Sequence, residues 1–319
     1  MHSLLPWVLF NLVVLALLAL DLGAFHRRAH PLGLREAAAW SAFWIVLSLA
    51  FNLAIYFWLG PQAAVEFFTG YLLEKSLSAD NIFVFAAIFG YMAVLDEYQH
   101  RVLFWGVLGA LVLRGLFILA GVELVQHFEW VLYVFGVFLV VTGARLLPKS
   151  RRKLDPGRSP VLRAARRVLP ITEQYERGAF FVRRNGRWWA TPLLLVLLVV
   201  EGSDVVFAVD SIPAIFSVTR DPFIIYTSNV CAILGLRALY FVLARAMKRF
   251  EHLHVGLALI LIFVGTKMLA ARWIKPPTAF TLLAIVVILG SAIVASIYFP
   301  EAKSTAPQSP SKNSNRVRE

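Results

Sequence analysis

One cysteine in 319 residues leaves this chain without a disulfide framework and without a thiolate metal cluster. That residue, Cys231, lies inside an apolar run. Charge is scarce too, at 16% of residues, and acids are the rarer half, 19 against 31 basic residues. No HExxH-like motif or nucleophile–base pairing appears, which argues against an intramembrane enzyme and for a chain that is not an enzyme at all. Nothing resembles a nucleic-acid reading motif either, so the net charge of +12 has another source. Between Pro148 and Ala190, 12 Lys or Arg face 3 Asp or Glu, concentrating the excess in one loop. Clustered cations beside membrane spans set orientation and touch anionic lipid.

What the chain has in abundance is apolar sequence: 59% of residues are hydrophobic and the mean hydropathy is +0.72. Several runs are long enough for the roughly 30 Å hydrocarbon layer, which takes about 20 helical residues. The first, Leu4 to Phe25, lacks a basic n-region and a small-residue cleavage site, so it reads as a retained helix rather than a signal peptide. The pattern predicts an all-α membrane protein with about nine spans: 4–25, 37–59, 66–93, 101–122, 127–147, 191–217, 222–246, 252–271 and 279–299. Odd-numbered connections are the basic ones, which puts the N-terminus outside and the C-terminus in the cytoplasm of a cell whose inner membrane holds the chain. Arg272 and Lys275 are the exception to that alternation. His26, His30, His252 and His254 then fall at cytoplasmic span ends, away from any acidic motif.

The expected organisation is two N-terminal helices over 1–59, a three-helix unit over 66–147 and a basic cytoplasmic loop over 148–190. A second three-helix unit over 191–271, a last span over 279–299 and a disordered tail over 300–319 complete it. Inside the loop, Ser159-Pro160 reads as an N-cap with proline at N1, opening an amphipathic helix through Arg167. Phe180 to Trp189 reads as a hairpin around Asn185-Gly186, with Trp188 and Trp189 at the bilayer interface.

The two three-helix units repeat each other at an offset of about 122 residues. Asp80-Asn81-Ile82-Phe83 matches Asp204-Val205-Val206-Phe207, and Arg114-Gly115-Leu116-Phe117 matches Arg237-Ala238-Leu239-Tyr240. Phe128-Glu129 and Gly143-Ala144-Arg145 match Phe250-Glu251 and Gly265-Thr266-Lys267, 15 residues apart in both copies. An odd number of crossings inverts the second copy, an arrangement of secondary transporters whose sites lie near the midplane. Asp80 and Asp204 should then approach one another across the pseudo-axis.

Five acids stand at membrane depth in two spans: Glu74, Asp80, Glu201, Asp204 and Asp210. Each costs at least about 2.5–3.5 kcal/mol at the bilayer centre, so none can face lipid. Glu201 and Asp204, at i and i+3, share a helix face. Pro213 removes an amide donor and crowds the Val209 carbonyl, which predicts a kink or break next to Asp210. Glu74 and Asp80 lie about 120° apart on a straight helix. Either span three is distorted near Ser76 to Ser78, or Glu74 does a separate job at the outer mouth. With Asn81, Ser78, Ser203 and Ser211, the candidate ligands are all oxygen donors, which suits Mg²⁺, Ca²⁺ or Mn²⁺ better than copper or zinc. A purely structural alternative pairs Asp80 and Asp204 with Arg114 and Arg237, although five acids outnumber two arginines.

The segment Glu74 to Phe85, and Val200 to Ile215 with its Glu201-Gly202-Ser203-Asp204 and Asp210-Ser211-Ile212-Pro213, resemble the TerC family of membrane proteins. The likeness continues through Thr219-Arg220-Asp221-Pro222-Phe223, Thr227-Ser228-Asn229-Val230 and Ile233 to Phe241, and spans about residues 36 to 272. One local variation is Gly202-Ser203, where Ala-Thr is expected in many members of the family; the hydroxyl is kept. The resemblance implies a LysE-type transporter linked to tellurium resistance and manganese export. It also implies metal-binding motifs at Glu74, Asp80, Asn81, Glu201, Asp204 and Asp210. The expected partners are therefore the lipid bilayer, divalent metal ions as cargo, and protons as a coupling ion, with no resident cofactor and no nucleic acid. A non-transport role in membrane-protein assembly or envelope stress is the competing expectation. Tellurite is an anion that a carboxylate-lined site repels, so a tellurium phenotype would be indirect.

Overall fold

The computed structural model describes residues 4–26, 33–147, 160–176, 178–184, 186–246, 253–274 and 276–298. Within helices it leaves out the side chains of residues 21–26, 79, 80, 160, 166, 210, 245, 246, 253, 254 and 297. The tail expected to be disordered lies outside the described residues, as do Ser159, Asn185 and Lys275.

Eleven helices and one small hairpin are described: α1 (Leu4–His26), α2 (Leu34–Leu59), α3 (Pro61–Tyr91), α4 (Asp96–His127), α5 (Val131–Leu146), α6 (Pro160–Val168), β1 (Phe181–Arg184), β2 (Arg187–Ala190), α7 (Pro192–Phe216), α8 (Pro222–Ile233), α9 (Leu236–Ala246), α10 (Leu253–Ala270) and α11 (Thr278–Tyr298). Among the described residues, four helices are long and apolar enough to cross a membrane, or up to five if the bent pair α8–α9 is one span. Shorter apolar stretches in α1, α5 and α10 accompany them. The surface fits that reading: Phe57, Leu116, Leu119, Val206 and Leu283, from α2, α4, α7 and α11, are all more than half exposed.

Local sequence fixes the helix starts. Pro192 and Pro222 occupy first-turn positions where no amide hydrogen is missed. Thr191 caps α7 by accepting from Leu193 N, and the Asp221 carboxylate caps α8 by accepting from Phe223 N and Ile224 N. The loop elements appear where the sequence places them. An amphipathic helix covers Pro160–Val168, and β1 pairs antiparallel with β2, closing Arg184 opposite Arg187 over a turn that holds Gly186 at φ 78.

Of the kink or break expected beside Asp210, the break is absent. α7 is one uninterrupted helix from Pro192 to Phe216. Pro213 stands in its last turn, where the amide it lacks costs one ladder bond and the helix is about to end anyway. An interruption falls instead between α8 and α9, where Leu234 leaves helical geometry, Gly235 takes φ +80 and the chain bends 45°. A Cβ at Gly235 would press into Trp44 of α2 as well as strain the backbone, so this turn needs glycine. The carbonyls freed at the break are met by a side chain: Lys75 Nζ of α3 donates to Ala232 O at 3.0 Å and to Leu234 O at 3.4 Å.

Packing is closest where α5 crosses α10. A Cβ on Gly143 would lie 2.7 Å from Ala258 O, and one on Gly265 would lie 2.7 Å from Gly136 O. Backbone meets backbone at both points, which small residues alone allow. α3 packs on α8 and α9, while α7 packs on α4. At one end, α6 lies along the first half of α7, with Val161 against Gly202 and Leu162 and Ala165 in a core shared with α3, α4 and α9.

Candidate functional site

Glu74 of α3, Arg114 of α4, Asp204 and Ser211 of α7, and Asn229 of α8 converge in the interior. None of the three charged residues is more than 3% exposed. Arg114 forks onto Asp204, Nη2 to Oδ1 at 3.1 Å and Nε to Oδ2 at 3.3 Å. Its Nη1 donates to Glu74 Oε1 and, at 3.3 Å, to Ser211 Oγ. The other Glu74 oxygen accepts from Asn229 Nδ2 at 3.0 Å. A planar guanidinium suits this task, because its rigid donors reach two carboxylates at once. Two carboxylates against one guanidinium still leave the group one charge negative when all are ionised.

The sequence alternatives for Glu74 resolve in favour of the interior. α3 runs as one helix from Pro61 to Tyr91, and Glu74 meets Asp204 through Arg114 instead of standing alone at a mouth. Asp204 does pair with an arginine, Arg114 of α4. The side chains of Asp80 and Asp210 lie outside the described residues. Arg237, at the start of α9, is buried and engaged. Ser203 turns its hydroxyl back onto Val199 O at 2.8 Å. Glu201, one turn before Asp204, lays its carboxylate beside Gly109 of α4, in the space a Cβ there would need. Among the described residues no three His, Cys, Asp or Glu side chains form one group.

Four buried polar atoms on α3, α7 and α8 have no hydrogen-bond partner among the described residues: Ser78 Oγ, Asn81 Nδ2, Glu201 Oε2 and Asn229 Oδ1. A buried polar atom left unpaired costs about 1–3 kcal/mol, so their concentration on α3, α7 and α8 marks a polar interior that the protein's own groups do not saturate. Asn229 is the residue that sequence reasoning missed. The signal was present: Thr227, Ser228 and Asn229 are three consecutive polar residues in an apolar helix, and all are 0% exposed. Lys75 was also overlooked, and it serves the helix break rather than the adjacent Glu74.

A family model described as integral membrane protein TerC family matches residues 59–304. An uncharacterized membrane protein of Myxococcus xanthus is 49% identical over 306 residues, 95% of this chain and 96% of its own. The putative membrane-bound redox modulator Alx of Escherichia coli K12 is 49% identical over 286 residues, 86% of this chain and 89% of its own. An uncharacterized membrane protein of Rickettsia bellii is 40% identical over 291 residues, 91% of this chain and 96% of its own. No solved structure matches. With its apolar helices and its buried, ion-paired interior, this chain is a multi-pass protein that belongs to the TerC family of integral membrane proteins.

Proposed function

We propose that this protein exports divalent metal cations, Mn²⁺ foremost, from the cytoplasm by alternating access. The observation that carries the proposal is the meeting of Glu74 and Asp204, from different helices, in an oxygen-lined interior with unpaired polar atoms nearby. Hard oxygen donors fit Mn²⁺, Mg²⁺ or Ca²⁺. The cargo site comprises Glu74, Asp80, Asn81, Glu201, Asp204 and Asp210, with Ser78, Ser203, Ser211, Arg114 and Arg237 in support. Carboxylates that release a cation can take up protons, so inward proton flow is the coupling reaction of choice.

Nine spans in the inner membrane, the N-terminus outside and the C-terminus cytoplasmic, with spans 3–5 and 6–8 as inverted repeats, belong to this reading. The α5–α10 crossing supports it. An offset of 122 residues carries Gly136 onto Ala258 and Gly143 onto Gly265, so it exchanges the Gly143–Ala258 and Gly136–Gly265 contacts. Reciprocity of that kind is the mark of a two-fold relation. The bent α8–α9 pair counts as one span, broken beside the site, as in transporters of this architecture.

Cellular manganese in strains carrying Asp80→Asn or Asp204→Asn tests the proposal, and unchanged export by both variants would sink it. The non-transport reading keeps one supporting feature, the ordered α6 and hairpin of the basic loop. It requires that trimming β1–β2 abolish function while acid-to-amide changes do not. Thiol redox chemistry, which the name of the Escherichia coli relative brings to mind, would here fall to Cys231 alone, a buried thiol with no second cysteine to join it.

A further inference from the structure

We propose that Arg114 is a tethered surrogate cation: its guanidinium holds the cargo's place between Glu74 and Asp204 and must withdraw when a divalent ion binds. The inference rests on the cation-export reading and adds how the empty carrier is kept stable. Three features of the cluster support it. First, every acceptor of Arg114 is an oxygen that a hard divalent ion would use: Glu74 Oε1, both Asp204 oxygens and Ser211 Oγ. Guanidinium and metal therefore compete for one set of ligands. Second, with both carboxylates ionised the group bears one net negative charge while Arg114 is in place. Exchange of a single positive charge for two makes it neutral, so cargo satisfies the carboxylates more fully than the arginine does. Third, an additional acceptor stands ready. Asn229 donates to Glu74 through Nδ2, and its Oδ1 on the same amide is buried without a partner among the described residues. A guanidinium drawn onto Glu74 leaves that oxygen unused, whereas an ion centred between the carboxylates can recruit it.

The position of Arg114 makes withdrawal consequential. It projects from α4 onto α7, so the ion pair fastens one three-helix unit to the other. Releasing the arginine loosens that fastening, and binding is coupled to movement between the units. When cargo leaves, the arginine returns, and the carrier is not stranded with two bare carboxylates. Its own charge then substitutes for part of the protonation that an arginine-free site would need.

Full-length protein in lipid nanodiscs tests this with Mn²⁺ as the probe, bound ion being read from the loss of its free electron-spin-resonance signal. Arg114→Ala should bind Mn²⁺ about tenfold or more tightly than the natural protein, since the competitor is gone and two carboxylates are unpaired. Free guanidinium ion at millimolar concentration should then weaken Mn²⁺ binding to Arg114→Ala competitively and leave the natural protein unaffected. An arginine that serves structure alone predicts the reverse: weaker binding in Arg114→Ala, with guanidinium restoring it. That result overturns the proposal. Should Arg114→Ala fail to fold, Glu74→Gln/Arg114→Gln is measured instead. Binding equal to or tighter than natural, despite the lost carboxylate, supports competition; a tenfold loss refutes it. If neither natural protein nor variants bind any divalent ion, the export reading itself has failed, an outcome distinct from binding that ignores Arg114.

Discussion

Replacing Gly143 with alanine adds one methyl group where α5 has no room for it. The new Cβ would stand 2.7 Å from Ala258 O, 2.8 Å from an Ile262 side-chain carbon and 3.0 Å from Ile262 N. Carbon–oxygen contacts normally close to about 3.3–3.6 Å, so the helices must part by at least about half an ångström at this point. Two of the three obstructing atoms are backbone and cannot rotate away. Separation at Gly143 also opens the reciprocal contact at Gly136 and Gly265. Overpacking of this kind costs about 1–3 kcal/mol, against which alanine regains up to about 1 kcal/mol of helix propensity. The net expectation is destabilisation by roughly 0–2 kcal/mol. Gly290 of α11 supplies the control, because nothing lies within 4 Å of its Cβ position. Gly290→Ala should be neutral or stabilising by up to about 1 kcal/mol. Thermal melting of the two purified variants in one detergent measures the difference directly. A Gly143→Ala protein that melts at or above Gly290→Ala would refute the close crossing of α5 and α10, and with it the reciprocity that supports inverted repeats.

Other substitutions separate the site from the scaffold. Asn229→Leu removes the donor to Glu74 Oε2, a charge-assisted bond worth about 1.5–3 kcal/mol, and should abolish Mn²⁺ efflux while circular dichroism keeps its helical signal. Gly109→Ala places a methyl in the space of the Glu201 carboxylate. That carboxylate ends a flexible chain and can swing aside, so melting should change little while efflux falls, and Glu201→Gln should mask the effect. Tyr175 donates to Met92 O at 2.6 Å, tying the loop to the end of α3, and Tyr175→Phe should raise hydrogen exchange over residues 171–176. Burial pushes the Tyr175 phenol up. Its protonated form is therefore favoured in the fold, so the tie holds below the ordinary value near pH 10 and loosens only as pH rises through the higher folded value. Exchange between pH 7 and 9 that quickens by more than the base-catalysed rise of the intrinsic amide rate would contradict this.

Much of the architecture was readable because it depends on composition and on local turn chemistry. Apolar length located the long apolar helices, proline and its preceding cap located the starts of α7 and α8, and Asn185-Gly186 located the hairpin. Long-range pairing was the harder part. The cost of burying Asp204 required a cation, and Arg114 was among the candidates. That the same guanidinium also reaches Glu74 depends on how α3, α4 and α7 are rotated, and no single helix records that. Pro213 misled for a related reason. Proline breaks a helix where the ladder must continue, and α7 ends three residues later. The true break at Gly235 carried the weaker sequence signal, one glycine in an apolar run, and becomes intelligible only with Trp44 and Lys75 beside it.

Where the cations go decides which acids remain available. Lys75 follows Glu74 directly in sequence, yet a helix turns about 100° per residue, so neighbours face different partners. Lys75 serves the C-terminal carbonyls of α8, and Lys267 of α10 donates to Ser217 O at 2.9 Å, at the C-terminal end of α7. Both lysines sit at the negative end of a helix dipole, where an ammonium is favoured and no carboxylate is needed. They neutralise backbone instead of the acids, which leaves Glu74 and Asp204 to share Arg114. Lys75→Met examines this division. It keeps the length of the side chain and removes the donor, so Ala232 O and Leu234 O lose a charge-assisted partner worth about 1.5–3 kcal/mol. Hydrogen exchange at residues 231–238 should quicken by tenfold or more, since about 1.4 kcal/mol is a factor of ten. The ion pair of Arg114 should be undisturbed, so Mn²⁺ affinity should change far less than in Arg114→Ala. Unchanged exchange would mean that the break is held by Gly235 and Trp44 alone. Mn²⁺ affinity shifted as strongly as in Arg114→Ala would mean that Lys75 belongs to the charge balance of the site after all.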